Sequence, residues 1–321
     1  DNNRLSNVMD TDYYVQLSTG LSRTFYNRAT QEKTAPGSTY KMMSSVAGLT
    51  EGVIGGGTYL PCTGEFDKIT PSPKCWIYPS AHGSLNVVGA IQHSCNDFFY
   101  EVGYRLSRNN GVYDSDTGLE KLAYYADQFG LSDKSGVEIS ESAPKVSDFD
   151  AIRSAIGQGT NNYSTVGLAR YVTTVANSGS CYNLSLLSKA TDADGNLIAD
   201  YTPTLRNTVD LKQSTWDAIH QGMRKVVEDK DYYKDLTIQV AGKTGTAQEN
   251  RKRANHALFV CYAPYEQPQI AIATRIAFGY ASDYAAQVTK DIVKYYFKLE
   301  DESSLITGTA ESTNVVQSAG D

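Results

Sequence analysis

The sequence lacks several features that would assign it quickly to a class of protein. No apolar run approaches the roughly 18 residues that a membrane-spanning helix needs. The net charge is -7 and there is no block of basic residues, which argues against nucleic acid as a partner. The four histidines show neither HxxxH nor HExxH spacing, and the five cysteines show no CxxC spacing. We therefore expect no cofactor and no metal site, zinc in particular being disfavoured.

Two of the cysteines could nevertheless have a structural role. Cys62 and Cys75 flank the polar stretch "CTGEFDKITPSPKC", which a disulfide could close if the protein is exported. Two free thiols are the alternative, and both interpretations stay open on the sequence. Cys95 has the character of a small packed residue. The composition, 321 residues of which 40% are apolar, suffices for a large hydrophobic core.

Hydrophobic periodicity predicts helices in the middle of the chain, with short strands and a last helix near its end. We expect helices over residues 38–50, 86–106, 118–129, 165–177, 214–227 and 282–300, and strands within 236–247, 256–264 and 269–279. Turn residues fill residues 57–83, which we interpret as a loop. The expected buried face of the final helix consists of Ala285, Val288, Ile292 and either Tyr295 or Tyr296. This arrangement predicts an α+β fold.

The stretch "TAPGSTYKMMSSVAGL" places Ser38 three residues before Lys41 at the start of a predicted helix. On a helix these two side chains share a face, so a lysine of lowered pKa could accept the proton of the serine. This spacing alone is weak evidence, because roughly one or two instances are expected by chance in such a chain. It recurs at Ser142 and Lys145, where a proline intervenes and no apolar helical run follows. We therefore favour Ser38 and Lys41.

Penicillin-binding proteins and class A β-lactamases combine such a pair with a Ser-x-Asn element and a Lys-Thr-Gly element. Ser-x-Asn proves nothing by itself, because it begins at four positions: Ser84, Ser94, Ser107 and Ser312. Lys-Thr-Gly occurs once, at residues 243–245, behind the β-like "TIQV". The similar Lys134-Ser135-Gly136 lies ahead of further helical sequence, so it is the poorer candidate.

The stretches around these motifs resemble, in order and separation, the transpeptidase domain of class B penicillin-binding proteins. The resemblance extends from about residue 27 to the final helix, and rests on "NRATQEKTAPGSTYK", "AHGSLNVVGAIQHSCNDFFYEVG", "FGLSDKSGVEI", "AIGQG", "VAGKTGTAQ" and "NHALFVCYAP". It identifies Ser94-Cys95-Asn96 as the second motif and Lys243-Thr244-Gly245-Thr246 as the third. It implies an antiparallel sheet flanked by helices, with a mainly helical subdomain.

The resemblance also implies a domain organisation and a location. Family members have sheet strands, an extracytoplasmic pedestal domain and an N-terminal membrane anchor ahead of the "NRATQ" region. We therefore expect residues 1–300 to form a transpeptidase domain without its N-terminal strands, and residues 301–321 to form a polar C-terminal tail. The expected location is the extracytoplasmic face of the bacterial cell membrane, anchored by a segment outside this chain.

The chemistry that the resemblance implies is acyl transfer from the D-Ala-D-Ala end of a peptidoglycan stem peptide to an amine of a neighbouring stem. The acyl-enzyme would form at Ser38, where β-lactam antibiotics would also become attached, and other cell-wall synthesis proteins are expected partners. The implied catalytic residues are Ser38, Lys41, Ser94 and Lys243, and the implied substrate-binding residues are Asn96, Thr244, Gly245 and Thr246.

Three alternatives stay open on the sequence. A serine β-lactamase needs a carboxylate that activates water, and Glu138 and Glu141 are available for it, although neither lies in a recognisable site. A β-lactam sensor would be acylated without turnover and would share Ser38, Lys41 and Lys243. A non-catalytic scaffold with a decayed site is disfavoured, because no motif residue has been lost.

Overall fold

The computed structural model describes residues 5, 10–20, 23–248 and 253–305. The α-helices are α1 (Thr11–Thr19), α2 (Lys41–Thr50), α3 (Val87–Gln92), α4 (Asn96–Leu106), α5 (Ser115–Gln128), α6 (Ala151–Ser154), α7 (Thr165–Ala176), α8 (Gln213–Glu228), α9 (Ser282–Tyr296) and α10 (Glu302–Leu305). The strands are β1 (Lys33–Thr34), β2 (Leu60–Cys62), β3 (Gly83–Leu85), β4 (Arg108–Asn109), β5 (Val112–Tyr113), β6 (Tyr163–Ser164), β7 (Ser180–Asn183), β8 (Lys189–Thr191), β9 (Leu197–Asp200), β10 (Thr204–Thr208), β11 (Ala241–Ala247), β12 (His256–Ala263) and β13 (Ile270–Ile276). Short 3₁₀ turns span Gly37–Tyr40 and Asp231–Tyr233.

The main sheet consists of β11, β12 and β13 in that order, with antiparallel pairing throughout. All eight residues of β12 are buried, as expected of the nearly continuous apolar sequence "HALFVCYA" in a strand whose two faces are both covered. Alternate residues of a strand point to opposite faces. Accordingly, Leu258 and Val260 belong to the larger of two hydrophobic cores, and Phe259 and Cys261 belong to the smaller.

Helices cover both faces of this sheet. α7 and α8 contribute Val172 and Ile219 to the larger core, in which α2 and α4 also pack, whereas α9 contributes Val293 to the smaller core. The sheet therefore lies between α9 on one side and the mainly helical part of the molecule on the other. α2 runs through that helical part and is buried from Lys41 to Gly48. Its first residue is therefore a lysine inside the protein.

The predicted α+β class and the antiparallel sheet are confirmed, with shifted element ends. The helix predicted over residues 38–50 begins as a 3₁₀ turn and continues as α2. The strand predicted within 236–247 begins only at Ala241. The predicted loop over residues 57–83 contains β2, which pairs with β3 and places Cys62 opposite Gly83. With this pairing the loop lies against the second motif.

The single helix predicted over residues 86–106 is wrong at its centre. α3 ends at Gln92 and α4 begins at Asn96. Between them Ser94 has a φ angle of 52°, in the left-handed region that a helix cannot continue through. The apolar periodicity continues across the break, so periodicity could not predict it.

The predicted buried face of the final helix is also wrong. Of the expected residues only Ala285 is buried, while Val288, Ile292, Tyr295 and Tyr296 are between 39% and 58% exposed. The buried residues of α9 are Ala285, Ala286, Thr289, Val293 and Lys294. Both sets recur at helical spacing, so periodicity could not choose between them. The smaller side chains contact the sheet, where the hydroxyl oxygens of Thr289 and Thr274 lie 2.7 Å apart.

The end of the described chain contains one further helical turn. Glu302–Leu305 form α10, and the rest of the expected tail, residues 306–321, lies outside the described residues. Within the described ranges, none of the helices combines the length and the apolar character that spanning a membrane requires.

Candidate active site

Ser38 lies on the 3₁₀ turn that leads into α2, and this turn packs against β11. Gly37 has a φ angle of 51°, and a Cβ atom on it would lie 2.4 Å from the carbonyl oxygen of Thr246. A Cβ atom on Gly245 would lie 2.7 Å from the Thr39 methyl group. Two backbones approach this closely only where side chains are missing. Glycines on both elements therefore place Ser38 beside the strand of the third motif.

Lys41 is fully buried at the start of α2. Its Nζ atom donates to the carbonyl oxygen of Ser94 at 2.8 Å, to Asn96 Oδ1 at 2.7 Å and to Ser94 Oγ at 3.3 Å. Burial lowers the pKa of Lys41 to about 8, although the nearby thiols of Cys95 and Cys75 act in the opposite direction. Part of the Lys41 population is therefore neutral near neutral pH, as a general base requires.

The break between α3 and α4 directs the second motif toward Lys41. Cys95 caps the N-terminus of α4, where its Sγ atom accepts the backbone N–H of Phe98 at 3.4 Å. Its own N–H donates to the carbonyl oxygen of Ala90 at 3.0 Å and closes α3. The left-handed Ser94 between these caps turns the chain, so that Ser94 and Asn96 both reach Lys41. An uninterrupted helix would direct these two side chains, two residues apart, to different faces.

β11 presents the third motif with the alternation of a strand. Lys243 is fully buried and donates to the carbonyl oxygen of Thr244 at 3.1 Å, whereas Thr244 is half-buried and Thr246 is exposed. Burial holds the pKa of Lys243 well below its usual value, with the charges of Lys41 and Lys230 acting in the same direction. Among the described strands β11 pairs only with β12. Its other edge therefore has no partner strand within the described ranges.

One cavity of about 540 Å³ joins the three motifs. The predicted site residues that line it are Ser38, Ser94, Asn96, Thr244 and Thr246. The other three, Lys41, Lys243 and Gly245, are buried and contact this lining from behind. A slightly larger cavity of about 600 Å³, beside His220 and Glu266, contains none of the predicted residues. The structure thus brings all eight predicted residues together at one place.

The cavity also has walls that the sequence analysis missed. On one side Trp76 Nε1 donates to the carbonyl oxygen of His93 at 3.1 Å. On the other side Asp283 accepts hydrogen bonds of 2.7 Å from Lys230 Nζ and from the Tyr232 hydroxyl. Apart from His93, which precedes Ser94 directly, these residues come from loops and helix ends outside the motifs. No local pattern could have identified them.

The competing motifs lie elsewhere. Ser142 Oγ donates to a backbone carbonyl oxygen at 2.7 Å, and Lys145 forms an ion pair of 3.2 Å with Asp148. In the Lys-Ser-Gly sequence, Ser135 donates to a Glu141 carboxylate oxygen at 2.8 Å. None of these residues lines the cavity that contains Ser38.

A cluster of three thiols and an imidazole lies directly behind the second motif. The candidate ligand atoms of Cys62, Cys75, His82 and Cys95 all lie within 4.8 Å of one another. His82 Nδ1 is 3.4 Å from Cys62 Sγ and 3.6 Å from Cys75 Sγ. Three thiolates and one imidazole are a ligand set of tetrahedral Zn²⁺, and the four residues fit such an ion. All three thiols are free, so the disulfide considered for Cys62 and Cys75 is absent.

The expectation of no metal rested on sequence spacing, and that reasoning is wrong here. The pairing of β2 with β3, rather than a CxxC turn, brings Cys62 near His82, and the intervening loop and the start of α4 add Cys75 and Cys95. The absence of a metal itself stays a prediction.

Cys75 links this cluster to the motif. Its Sγ atom accepts the backbone N–H of Asn96 at 3.3 Å. A hydrogen bond from the Cys95 thiol lowers the pKa of Cys75 and raises the pKa of Cys95. Asn96 is therefore held from two sides, by Lys41 through its side chain and by Cys75 through its backbone.

Known proteins are similar to this chain in sequence and in fold. Residues 2–294 match the family described as penicillin binding protein transpeptidase domain. The chain is 29% identical over 345 residues to the peptidoglycan D,D-transpeptidase MrdA of Haemophilus influenzae, across 92% of this chain and 49% of that protein. It is 26% identical over 296 residues to penicillin-binding protein 2B of Streptococcus pneumoniae, across 82% of this chain and 43% of that protein. The chain thus spans about half the length of these curated relatives.

The solved structure of Pseudomonas aeruginosa PBP2 in complex with WCK 5153 superposes with a TM-score of 0.75 and 26% identity, across 91% of this chain and 64% of that one. Since the family match extends over nearly the whole chain and includes all three motifs, the chain belongs to the penicillin-binding protein transpeptidase domain family.

Proposed function

We propose that this chain is the catalytic domain of a peptidoglycan D,D-transpeptidase, which cross-links stem peptides through an acyl-enzyme at Ser38. The observation that carries the proposal is the cavity lined by Ser38, Ser94 and Thr246, behind which lie two buried lysines of lowered pKa. Acyl transfer requires a nucleophile, a base and a group that binds the substrate carboxylate around one reacting atom. This cavity has a candidate for each role.

In the first step Ser38 Oγ attacks the carbonyl carbon of the penultimate D-Ala, and neutral Lys41 accepts the hydroxyl proton. The oxyanion that forms is stabilised by the backbone N–H groups of Ser38 and Thr246. The contact of Gly37 with Thr246 supports this assignment, because it brings the two backbone segments together. Preorganised donors of this kind stabilise the developing charge without further reorganisation.

In the second step the terminal D-Ala departs as an amine and needs a proton. Ser94 Oγ, 3.3 Å from Lys41 Nζ, is suited to pass that proton from Lys41 to the leaving nitrogen. The acceptor amine then attacks the Ser38 ester and loses a proton along the same path in reverse. The products are a new amide bond between two stems and a free Ser38 hydroxyl.

The other residues of the cavity are suited to bind the donor peptide. Thr244 and Thr246 offer hydroxyl donors to the terminal carboxylate, with Lys243 Nζ behind them. Asn96 Oδ1 already accepts from Lys41, which leaves its amide NH₂ group free for a peptide carbonyl. The open edge of β11 suits an extended stem peptide that adds as a further strand.

The proposed substrates place this domain on the extracytoplasmic face of the bacterial cell membrane. Stem peptides that end in D-Ala-D-Ala are the donors, amines of neighbouring stems are the acceptors, and β-lactam antibiotics acylate the same serine. Other cell-wall synthesis proteins are its proposed partners. The name of the Haemophilus influenzae relative, peptidoglycan D,D-transpeptidase, supports the peptidoglycan substrates.

The geometry disfavours the β-lactamase alternative. Glu138 accepts the backbone N–H of Leu186 at 2.9 Å, and Glu141 accepts from Ser135, so both carboxylates are engaged away from the cavity. Neither is placed to activate water against an ester on Ser38. A sensor that is acylated without turnover shares the first step, and it would show no cross-linking of stem peptides.

Labelled penicillin tests the proposal. We expect one covalent label per chain, located on Ser38 by peptide mapping, with full labelling of the Ser142→Ala variant and none of Ser38→Ala. A second assay offers a D-Ala-D-Ala peptide and an amine acceptor and measures the cross-linked product. Label on Ser142, or no label on folded protein, overturns the assignment of Ser38. Labelling without any cross-linked product favours the sensor.

A further inference from the structure

The active-site cavity has one wall to which the proposed mechanism assigns no role. This wall consists of Asp229, which follows the last residue of α8, together with Lys230 and Asp283. Burial lowers the pKa of Lys243 on β11, and the charges of Lys41 and Lys230 act in the same direction, so Lys230 lies close to this strand. The wall therefore adjoins the third motif.

The wall carries one negative charge that no ion pair balances. Lys230 Nζ pairs with Asp283 at 2.7 Å. Asp229 instead accepts from Gln92 Nε2 with both carboxylate oxygens, at 3.2 and 3.0 Å, and forms no ion pair within the described ranges. Among the described residues that line the cavity, Lys230 is the only lysine or arginine. The exposed carboxylate of Asp229 therefore favours a cation in this part of the cavity.

Gln92 places this carboxylate beside the second motif. It is the last residue of α3 and lies two residues before Ser94, the proposed proton carrier between Lys41 and the departing amine. Departure of the D-Ala amine and attack by the acceptor amine are the same kind of step in opposite directions, at the same acyl carbon. The acceptor therefore enters the place that the D-Ala leaves, and Asp229 lies beside that place.

We infer that Asp229 is an acceptor-binding residue, whose carboxylate binds the protonated primary amine of the incoming stem beside the acyl-enzyme. The inference rests on the proposed function, because it concerns the second substrate of that reaction. An ammonium group has no free electron pair, so one proton first passes through Ser94 Oγ to neutral Lys41. The nitrogen then bonds to the ester carbon, the bond from that carbon to Ser38 Oγ breaks, and the second proton lost by the nitrogen goes to that oxygen.

The test compares two acceptors with one donor, a peptide that ends in D-Ala-D-Ala. One acceptor is a peptide with a lysine side chain, whose pKa of about 10.4 keeps it protonated near neutral pH. The other is hydroxylamine, which is uncharged there. KM and kcat for each acceptor, and labelling by penicillin, are measured for the unmodified chain, Asp229→Asn and Asp229→Glu. The matched control is Asp217→Asn, because Asp217 also accepts from a glutamine, Gln213, at 2.9 Å on α8, but outside this cavity.

We expect Asp229→Asn to raise KM for the lysine peptide by about fivefold, the effect of losing one exposed ion pair. KM for hydroxylamine, and labelling by penicillin, which involves no acceptor, should change less. Added salt should raise KM for the lysine peptide in the unmodified chain and in Asp229→Glu, but hardly in Asp229→Asn. Asp217→Asn should behave like the unmodified chain. The inference is overturned if KM for the lysine peptide does not rise, if it rises equally for both acceptors, or if salt acts equally on Asp229→Asn and the unmodified chain.

A failure of the proposed function would look different. A folded chain that penicillin labels, but that gives no product with either acceptor, would favour the sensor. In that case binding of the lysine peptide to the unacylated chain, followed by NMR, still judges the contact. Weaker binding by Asp229→Asn than by Asp217→Asn supports the inference, and equal binding overturns it.

Discussion

The two sides of the active-site cavity are built in different ways. On one side β11 carries Lys243, Thr244 and Thr246, whose directions follow from the alternation of a strand and from pairing with β12. On the other side Ser94 and Asn96 lie on a break between two helices. A left-handed residue, two sulfur acceptors and a buried lysine hold that break in place.

The difference shows where the site tolerates change. A ladder of backbone hydrogen bonds supports the strand side, so its geometry survives the loss of any one side chain. The side with the helix break depends on a few side-chain contacts inside the protein. Removal of any one of these side chains leaves a buried polar group without a partner. We therefore expect the larger losses of activity at the break and the smaller ones on the strand.

The largest effect is expected for Lys41→Ala. The substitution removes the proposed base, and it leaves the carbonyl oxygen of Ser94 and the Oδ1 atom of Asn96 without their shared donor. Labelling by penicillin should slow by about 10³-fold, measured by stopped-flow or quenched mass spectrometry. The control is Lys145→Ala, which removes an exposed ion pair far from the cavity. Labelling of Lys41→Ala within tenfold of the control would show that another group is the base.

On the strand side the sensitive position is Gly245. Its added Cβ in Gly245→Ala would meet the Thr39 methyl group at 2.7 Å and the Pro36 carbonyl oxygen at 3.0 Å. We expect the turn that carries Ser38 to move away from β11, with labelling slowed on the order of 100-fold and stability lowered by about 1–3 kcal/mol. Gly57→Ala is the matched control, because no atom lies within 4 Å of its added Cβ. Equal labelling of the two variants would mean that the close approach is not needed.

A smaller effect is expected from pH. Neutral Lys41 is the proposed base, and burial lowers its pKa to about 8. The neutral fraction therefore grows as the pH rises, so the labelling rate should increase by about tenfold per pH unit below the pKa and level off above it. The measurement is the labelling rate at saturating penicillin between pH 6 and about 9.5, with circular dichroism to verify the fold. A midpoint near the ordinary lysine value of 10.5 would contradict the lowered pKa.

The smallest effect is expected on the lifetime of the penicillin adduct. Without a carboxylate that activates water, the ester on Ser38 should persist for many minutes in Glu138→Gln, Glu141→Gln and the unmodified chain alike. Asp229→Asn and Asp283→Asn belong in the same series, because these carboxylates line the cavity. Intact mass measured after removal of free drug follows the adduct. Rapid turnover that any one of these substitutions abolishes would make the domain a β-lactamase.

Local chemistry was enough to predict the parts of the site that lie on regular elements. Lys243 to Thr246 follow a β-like segment and lie on the predicted strand. Lys41 lies on the predicted helix, whereas Ser38 lies on the 3₁₀ turn before it. The break around Ser94 was missed because apolar periodicity continues through it. The thiol cluster was missed because its members meet only in the tertiary structure, through the pairing of β2 with β3 and the contact of the intervening loop with the start of α4.

The sequence by itself determined the chemical groups of this protein and their order along the chain. It supplied a serine and a lysine one helical turn apart, a Lys-Thr-Gly-Thr segment of strand character, and flanking sequence that resembles one family. The tertiary structure decided what depends on surroundings: the burial that lowers the pKa of Lys41, the face that α9 buries, and the meeting of three distant cysteines with His82. Those properties arise from contacts between residues far apart in the chain, so local sequence patterns cannot predict them.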